Sequence, residues 1–197
     1  MLRLGFFASH GGSNMQSIID AIKSGNIDAK VSFVISNNSD SGAIERAKRE
    51  RIPYYHVSTK THYDTDSFIR EIIRIIDYHN ADTIILAGYM KKLDDKIISY
   101  INGRVLNIHP ALLPKYGGKG MYGRFVHEAV LANNEKKTGP TVHLVDNIFD
   151  HGRILAQIEV PVLPGDNIES LSKRVLEAEH ILYPETIRKI ASGVIII

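Results

Sequence analysis

The stretch of sequence that decides the fold is residues 2–22, LRLGFFASHGGSNMQSIIDAI. It opens on a short apolar run, which is typical of a buried β-strand. Its second half places apolar side chains at the spacing of one helix face: Met15, Ile18, Ile19 and Ile22. Ser13 or Asn14 can cap the start of that helix. A buried strand that turns directly into an amphipathic helix predicts the first half of a parallel strand–helix–strand unit.

The alternation of strand and helix continues along the chain. Further apolar or β-branched runs predict strands at 30–36, 53–57, 83–87, around Asn107, and at 141–145 and 154–160. Stretches of helical period predict helices at 41–51, 64–79, 94–100, 124–133 and from 168 onward, the last one kinked or broken by Pro184. This order predicts an α/β protein with a single domain, residues 1–197. Its mostly parallel twisted sheet should have helices on both faces and a Rossmann-like N-terminal half.

Composition narrows the class of protein. With 197 residues, 44% hydrophobic and 23% charged, the chain fits one well-buried core of an ordinary soluble globular protein. The net charge of +2 gives no sign of a surface that coats nucleic acid, and the absence of cysteine excludes disulfides, thiolate zinc sites and thiol catalysis. No run approaches the ~18 apolar residues of a membrane span. We therefore expect a cytoplasmic protein without a membrane or nucleic-acid partner, either a monomer or a homodimer.

The first chemical feature is residues 104–114, RVLNIHPALLP. In an extended strand Asn107 and His109 share one face, while Leu106 and Ile108 share the other, and Pro110 ends the strand. An amide that donates hydrogen bonds beside an imidazole with a mobile proton suits the stabilisation of a developing oxyanion. A solvated strand end is the alternative interpretation.

The second feature is the turn from Ser9 to Asn14, which follows the first strand and opens the first helix. Backbone N–H groups at such a turn converge on an anion, and Gly11 and Gly12 would let a phosphate approach closely. A dinucleotide site is disfavoured because G-x-G-x-x-G is absent and the second strand ends without an acidic residue. A single phosphate fits better, and an ordinary capped turn is the alternative.

The third feature is residues 139–155, GPTVHLVDNIFDHGRIL, where Asp150 stands in an Asp-x-Gly turn between two predicted strands. Asp150 could orient His109 and raise the pKa of its imidazole, which would keep it protonated as a general acid. A generic turn is again the alternative. His143 and His151 are weighed as metal ligands, but scattered histidines without a matching carboxylate pattern argue against a metal site.

Together these segments resemble the family of formyltransferases that use 10-formyltetrahydrofolate. The likeness rests on Ser9–Asn14, LAGYM at 86–90, LNIHPALLP at 106–114, the 139–154 stretch, and Glu179-His180 before Tyr183-Pro184. The resemblance implies transfer of a formyl group from 10-formyltetrahydrofolate to the amine of 5-phosphoribosylglycinamide (GAR) in de novo purine biosynthesis, without a metal. Residues 1–100 would be the phosphate-binding or nucleotide-binding half, and residues 101–197 the catalytic and folate-binding half.

The resemblance also implies site residues. The catalytic set would be Asn107, His109 and Asp150. GAR would be held by Gly11, Gly12, Ser13, Asn14 and Glu179. The folate would contact Met90, Lys91, Lys92, Leu93, Asn107, Val145 and Asp146. The Leu113–Pro114 peptide would be cis, and the glycine-rich stretch 117–123, longer than in many relatives, would lie over the site.

Three other functions are alternatives to the transfer of a formyl group to GAR. Methionyl-tRNA formyltransferase needs a further tRNA-binding domain and a more basic surface than +2 provides. Formyltetrahydrofolate deformylase, a hydrolase, normally carries an N-terminal regulatory domain, whereas the first predicted strand begins at Leu2. A catalytically silent nucleotide-binding module would not require Asn107, His109 or Asp150. The hydrolase and the silent module stay open as alternatives.

Overall fold

A seven-stranded, mostly parallel sheet forms the centre of the protein in a computed structural model that describes residues 1–62 and 64–197. Its strands are β1 (Leu2–Ala8), β2 (Ala29–Ser36), β3 (Tyr54–His56), β4 (Thr83–Leu86), β5 (Val105–His109), β7 (Thr141–Leu144) and β8 (Ile154–Gln157). Two short strands, β6 (Lys137–Thr138) and β9 (Val160–Pro161), form a separate antiparallel pair. The order in the large sheet is β3-β2-β1-β4-β5-β7-β8. The first five of these strands are parallel, and β7 and β8 continue the sheet in antiparallel pairing.

The described residues also form six helices, of which the first five lie between strands: α1 (Ser13–Lys23), α2 (Gly42–Arg49), α3 (Thr65–Tyr78), α4 (Asp95–Tyr100), α5 (Arg124–Ala132) and the C-terminal α6 (Ile168–Ala191). Four of them begin at a polar side chain that accepts a hydrogen bond from the first turn, namely Ser41, Asp64, Asp94 and Asn167. No helix among the described residues is long and apolar enough to cross a membrane.

Two hydrophobic cores cover the two faces of the sheet. The first packs Leu4 and Phe6 of β1 against Met15 and Ile18 of α1 and against the buried side of α6. The second, which includes Phe7, packs α3 and α4 on the opposite face. Because neighbouring residues of a strand face opposite ways, β1 contributes to both cores. The predicted α/β class with helices on both faces is confirmed.

The strand order opens a crevice at the carboxyl ends of the parallel strands. From β1 the chain runs outward to β2 and β3, then returns to lay β4 on the other side of β1. At such a reversal the loops that leave the carboxyl ends of adjacent strands diverge and open a ligand crevice. The loops after β1, β4 and β5 therefore meet at this point.

In the C-terminal region the single strand predicted at 154–160 and a break of the last helix at Pro184 are wrong, whereas a kink at Pro184 stays a prediction. The strand expected at 154–160 is divided into β8 and β9, which belong to different sheets. Pro184 does not break the last helix, because α6 continues through it to Ala191. A proline removes one backbone donor, and the residues on both sides of it, Tyr183 and Ile187 among them, are buried and hold the helix against the sheet.

Candidate active site

A cavity of about 590 Å³ lies at the carboxyl ends of β4 and β5. Residues 118–123 line one wall of it, so the glycine-rich stretch lies over the site as predicted. Asn107, His109 and Asp150 also line the cavity, although Asp150 belongs to a distant loop. Leu106 and Ile108 point into the first hydrophobic core, which confirms the predicted alternation along β5.

His109 and Asp150 form the centre of the site. The Nδ1 atom of His109 lies 3.4 Å from Asp150 Oδ2, and both side chains are almost completely enclosed. On its other side the His109 Nε2–H donates to the Tyr116 carbonyl at 2.7 Å. The Gly118 N–H donates to Asp150 Oδ2 at 3.0 Å. The beginning of the glycine-rich stretch is thus bonded to both members of the pair.

The turn that carries Asp150 depends on close backbone approach. Asp150 has a left-handed φ of +55°, and Gly152 follows it at the start of the return toward β8. A Cβ atom on Gly152 would overlap the carbonyl oxygen of Leu144. Gly152 is therefore required by the path of the chain, and this path brings the Asp150 carboxylate to His109.

The pKa of His109 differs from the prediction. Burial lowers the pKa of this imidazole below its ordinary value and outweighs Asp150 and the Tyr116 carbonyl, which both raise it. Asp150 acts in the predicted direction, but the expected net rise of the His109 pKa is wrong. Burial also acts to raise the pKa of Asp150, yet His143, His109 and the Gly118 N–H hold that pKa below its ordinary value. Asp150 is thus a carboxylate at neutral pH.

His143 is a site residue that the sequence analysis weighed only as a metal ligand. It is 2% exposed and is the cross-strand partner of Asn107 in the β5–β7 pair. Its Nδ1–H donates to the Leu144 carbonyl at 2.8 Å, and its Nε2, which lies 3.1 Å from the Asn107 amide nitrogen, accepts from that amide when the imidazole is neutral. The same Nε2 atom lies 3.6 Å from Asp150 Oδ1. The contact of His143 with Asn107 was not predicted because it depends on the antiparallel register of β5 and β7.

The predicted phosphate turn is placed at the start of α1. Gly12 is the N-cap with φ of +70°, and Gly11 is exposed. Of the four predicted residues in this turn only Asn14 lines the cavity. Arg46, which the sequence analysis missed, donates from its Nε–H to the Gly11 carbonyl at 2.8 Å. The turn is thus held from outside by α2.

Glu179 of α6 meets this turn inside the protein. Its Oε2 accepts a hydrogen bond from the Asn14 amide at 2.6 Å, and the residue is 8% exposed. Burial raises the pKa of Glu179 to about 7, and the Asn14 hydrogen bond acts weakly against that rise. The structure therefore brings together Asn14 and Glu179, two residues predicted to contact the same substrate.

The residues predicted to contact the folate all line the same cavity: Met90, Lys91, Lys92, Leu93, Asn107, Val145 and Asp146. Tyr89 precedes them and packs edge-on against Phe7 at 5.4 Å between ring centroids, and burial raises its pKa to about 12. Ile148 and Phe149 also line the cavity and were not predicted. They lie in the loop before Asp150, where exposed apolar residues give no periodic signal.

Metal ligation was also considered. Within residues 1–62 and 64–197 there is no group of three or more His, Cys, Asp or Glu side chains that could hold a metal ion. His151, weighed above as a ligand, pairs with Asp146 at 2.9 Å on the surface. The Leu113–Pro114 peptide is cis, as the resemblance implied.

Comparison with known proteins identifies close similarity. Residues 2–187 match the family model described as formyl transferase. A chloroplastic phosphoribosylglycinamide formyltransferase of Arabidopsis thaliana is 39% identical over 94% of this chain, and the chain spans 64% of that relative's length. The crystal structure of glycinamide ribonucleotide transformylase 1 from Symbiobacterium toebii superposes with a TM-score of 0.93 at 35% identity, covering 100% of this chain and 91% of that one. A formyltetrahydrofolate deformylase from Pseudomonas syringae pv. tomato is more distant, with a TM-score of 0.88 at 25% identity over 100% of this chain and 63% of that one.

Proposed function

Because the chain belongs to the formyl transferase family, we propose that it transfers the formyl group of 10-formyltetrahydrofolate to the primary amine of GAR, giving formyl-GAR and tetrahydrofolate in de novo purine biosynthesis. The observation that carries this proposal is the meeting of Asn107, His109 and Asp150 in one cavity that is also lined by the Asn14–Glu179 pair and the segment from Met90 to Leu93. The two substrates would approach the three catalytic groups from these two parts of the lining.

The reaction follows from the groups in the cavity. The neutral amine of GAR attacks the formyl carbon, and the resulting oxyanion is stabilised by the Asn107 amide and protonated His109. The Asn107 amide is oriented for this by His143, which accepts one of its hydrogen bonds. Asp150 holds the imidazolium and, through a water molecule, helps move the amine proton to the departing folate nitrogen. The step requires neither a metal nor a covalent enzyme intermediate.

His109 must change partners during this reaction. Its Nε2–H is bonded to the Tyr116 carbonyl and its Nδ1 faces Asp150. One of its two nitrogens has to be released before it can donate to the oxyanion, and the carbonyl is the weaker partner because it carries no net charge. Substrate binding would therefore displace the Tyr116 carbonyl and with it the start of the glycine-rich stretch.

The two halves of the chain would have different roles in binding and catalysis. Gly11, Gly12, Ser13 and Asn14 would bind the GAR phosphate through backbone N–H groups at the start of α1, and Glu179 would contact the glycinamide side. The segment from Met90 to Leu93, with Val145 and Asp146, would bind the folate. Residues 1–100 would thus mainly hold phosphate and residues 101–197 would carry catalysis, with the folate contacting both. Location in the cytoplasm stays a prediction.

A formyl-transfer assay tests the proposal. The purified protein is incubated with 10-formyltetrahydrofolate in the presence and in the absence of GAR, and tetrahydrofolate release is followed. Release that requires GAR supports the transferase. Release that is equally fast without GAR would assign the hydrolase instead, and no release in either case would favour the silent module.

Two histidine variants control the assay. His109→Ala should abolish release, whereas His56→Ala should leave it near the wild-type rate because His56 is an exposed residue of β3 that does not line the cavity. Equal activity of the two variants would remove His109 from the proposed role.

A further inference from the structure

Ser9 is the first residue after β1, and the functional assignment gives it no role. It is 2% exposed. Its backbone N–H donates to the Gly88 carbonyl at 3.0 Å. Its Oγ accepts a hydrogen bond from the Met90 N–H at 2.8 Å and donates one to Asn37 Oδ1 at 2.6 Å. A single buried serine therefore joins the loops that follow three neighbouring strands.

These bonds continue the pairing of β1 and β4 beyond the ends of both strands. The regular ladder ends with the Ala87 N–H bonded to the Phe7 carbonyl at 2.9 Å. Gly88 then turns with φ of +73°, so the chain leaves the sheet and its donors lose their strand partners. The Ser9 hydroxyl replaces the missing partner for Met90, which lines the cavity and is the first residue of the proposed folate segment.

The same serine begins the turn that leads to Asn14. The Ser9 hydroxyl therefore fixes the start of the proposed folate segment, and the Ser9 backbone begins the proposed phosphate turn. The orientation of this hydroxyl is set by Asn37, which accepts its only hydrogen. The hydroxyl oxygen that accepts from the Met90 N–H is therefore held in one orientation and does not rotate freely.

We propose that Ser9 is a positioning residue for the co-substrate: its hydroxyl sets the place of the Met90 backbone and, through it, of the segment from Met90 to Leu93. This inference rests on the proposed function. Removal of the hydroxyl leaves a backbone N–H without its partner at the cavity wall, and such a group recovers its hydrogen bond only if the loop moves. The loop displacement weakens folate binding, while the phosphate turn keeps its own contacts with α2.

Ser36 supplies a matched control, because it too lies at the carboxyl end of a parallel strand. It ends β2, it is completely buried, and its hydroxyl also makes several hydrogen bonds. Those bonds go only to Asn38 and Ser41 in its own turn. Ser36→Ala therefore removes a buried serine hydroxyl without touching the loop after β4.

The experiment compares the KM values for both substrates in the wild type, Ser9→Ala, Asn37→Ala and Ser36→Ala, together with tetrahydrofolate binding by calorimetry. Ser9→Ala should raise the KM for 10-formyltetrahydrofolate about tenfold, the scale of one buried hydrogen bond, and weaken tetrahydrofolate binding to match. The KM for GAR should change less than about twofold. Asn37→Ala should raise the folate KM about threefold because the hydroxyl stays but is no longer oriented. Ser36→Ala should leave both KM values unchanged.

A parallel rise of both KM values in Ser9→Ala, or an equal rise of the folate KM in Ser36→Ala, would reduce Ser9 to a structural residue and overturn the inference. If Ser9→Ala does not fold, Asn37→Ala decides, and a wild-type folate KM in that variant overturns the inference. Failure of the proposed function has a different signature, since the wild type itself would then show no GAR-dependent release.

Discussion

The catalytic end and the phosphate end of the candidate site are built on different principles. At the catalytic end, on β5, β7 and the loop of Asp150, the groups that would perform chemistry are side chains that contact one another across strands and loops, such as His109 with Asp150 and Asn107 with His143. At the phosphate end, which is the turn between β1 and α1 and reaches the cavity through Asn14, the groups that would bind phosphate belong to one continuous stretch of backbone. The first end depends on burial and on remote partners, whereas the second depends on local backbone conformation. Substitutions at the two ends should therefore fail in different ways.

The largest effect is expected at the catalytic end. Asp150→Asn should reduce turnover on the order of a hundredfold or more, because the imidazolium loses the charge that stabilises it. The pKa of His109, already below its ordinary value because of burial, should fall further since Asp150 acts to raise it. NMR titration of His109 in the wild type and the variant measures the shift, and indistinguishable pKa values would exclude Asp150 from this role even in an inactive variant.

The next effect concerns the contribution of Glu179 to the stability of the folded protein. The folded pKa of about 7 exceeds the ordinary value of 4.5, so the folded state binds more protons between these values. Stability from this group is therefore present below about pH 4.5 and is lost as pH rises to 7, by an amount of the order of 3 kcal/mol. Glu179→Gln keeps an acceptor for the Asn14 amide and should remove this loss.

Urea unfolding of the wild type and Glu179→Gln at pH 5 and pH 8 measures it. The variant should be the more stable protein at pH 8, and the difference should shrink at pH 5. Parallel stability curves would mean that Glu179 is not held protonated by burial.

A smaller effect, confined to one ligand, is expected at the phosphate end. A side chain at Gly11 would meet no protein atom within 4 Å, whereas one at Gly12 would meet Ala43 at 3.0 Å in a left-handed backbone. Gly11→Val is therefore the clean test. It should raise the KM for GAR about tenfold by blocking close approach of the phosphate and leave the folate KM and the Tm unchanged. Unchanged GAR binding would place the phosphate elsewhere.

The smallest effect should not distinguish the two substrates. The buried Tyr183 hydroxyl lies 3.1 Å from the Leu86 carbonyl at the end of β4 and 3.0 Å from the Leu106 carbonyl near the start of β5. Tyr183→Phe should lower the free energy of unfolding by about 1 kcal/mol, the value of one hydrogen bond, without favouring either substrate. Denaturant unfolding measures the loss, and a change in only one KM would contradict this shared role.

The sequence by itself determined the features that depend on near neighbours in the chain. The alternation of strand and helix, the turn after β1, and the common face of Asn107 and His109 follow from side-chain periodicity, capping residues and the limits that proline sets on the backbone. These are properties of a few consecutive residues, so they could be predicted before any partner was known. The motif at 104–114 and the Asp150 turn also indicated the family.

Only the tertiary structure decided what depends on enclosure and register. The placement of His143 opposite Asn107 follows from the antiparallel pairing of β5 with β7, which nothing in either strand specifies alone. The lowered pKa of His109 and the raised pKa of Glu179 follow from burial by many elements at once. Desolvation is a sum over all the surrounding atoms, so its size, and for His109 even the net direction of the shift, cannot be obtained from the residue and its local motif.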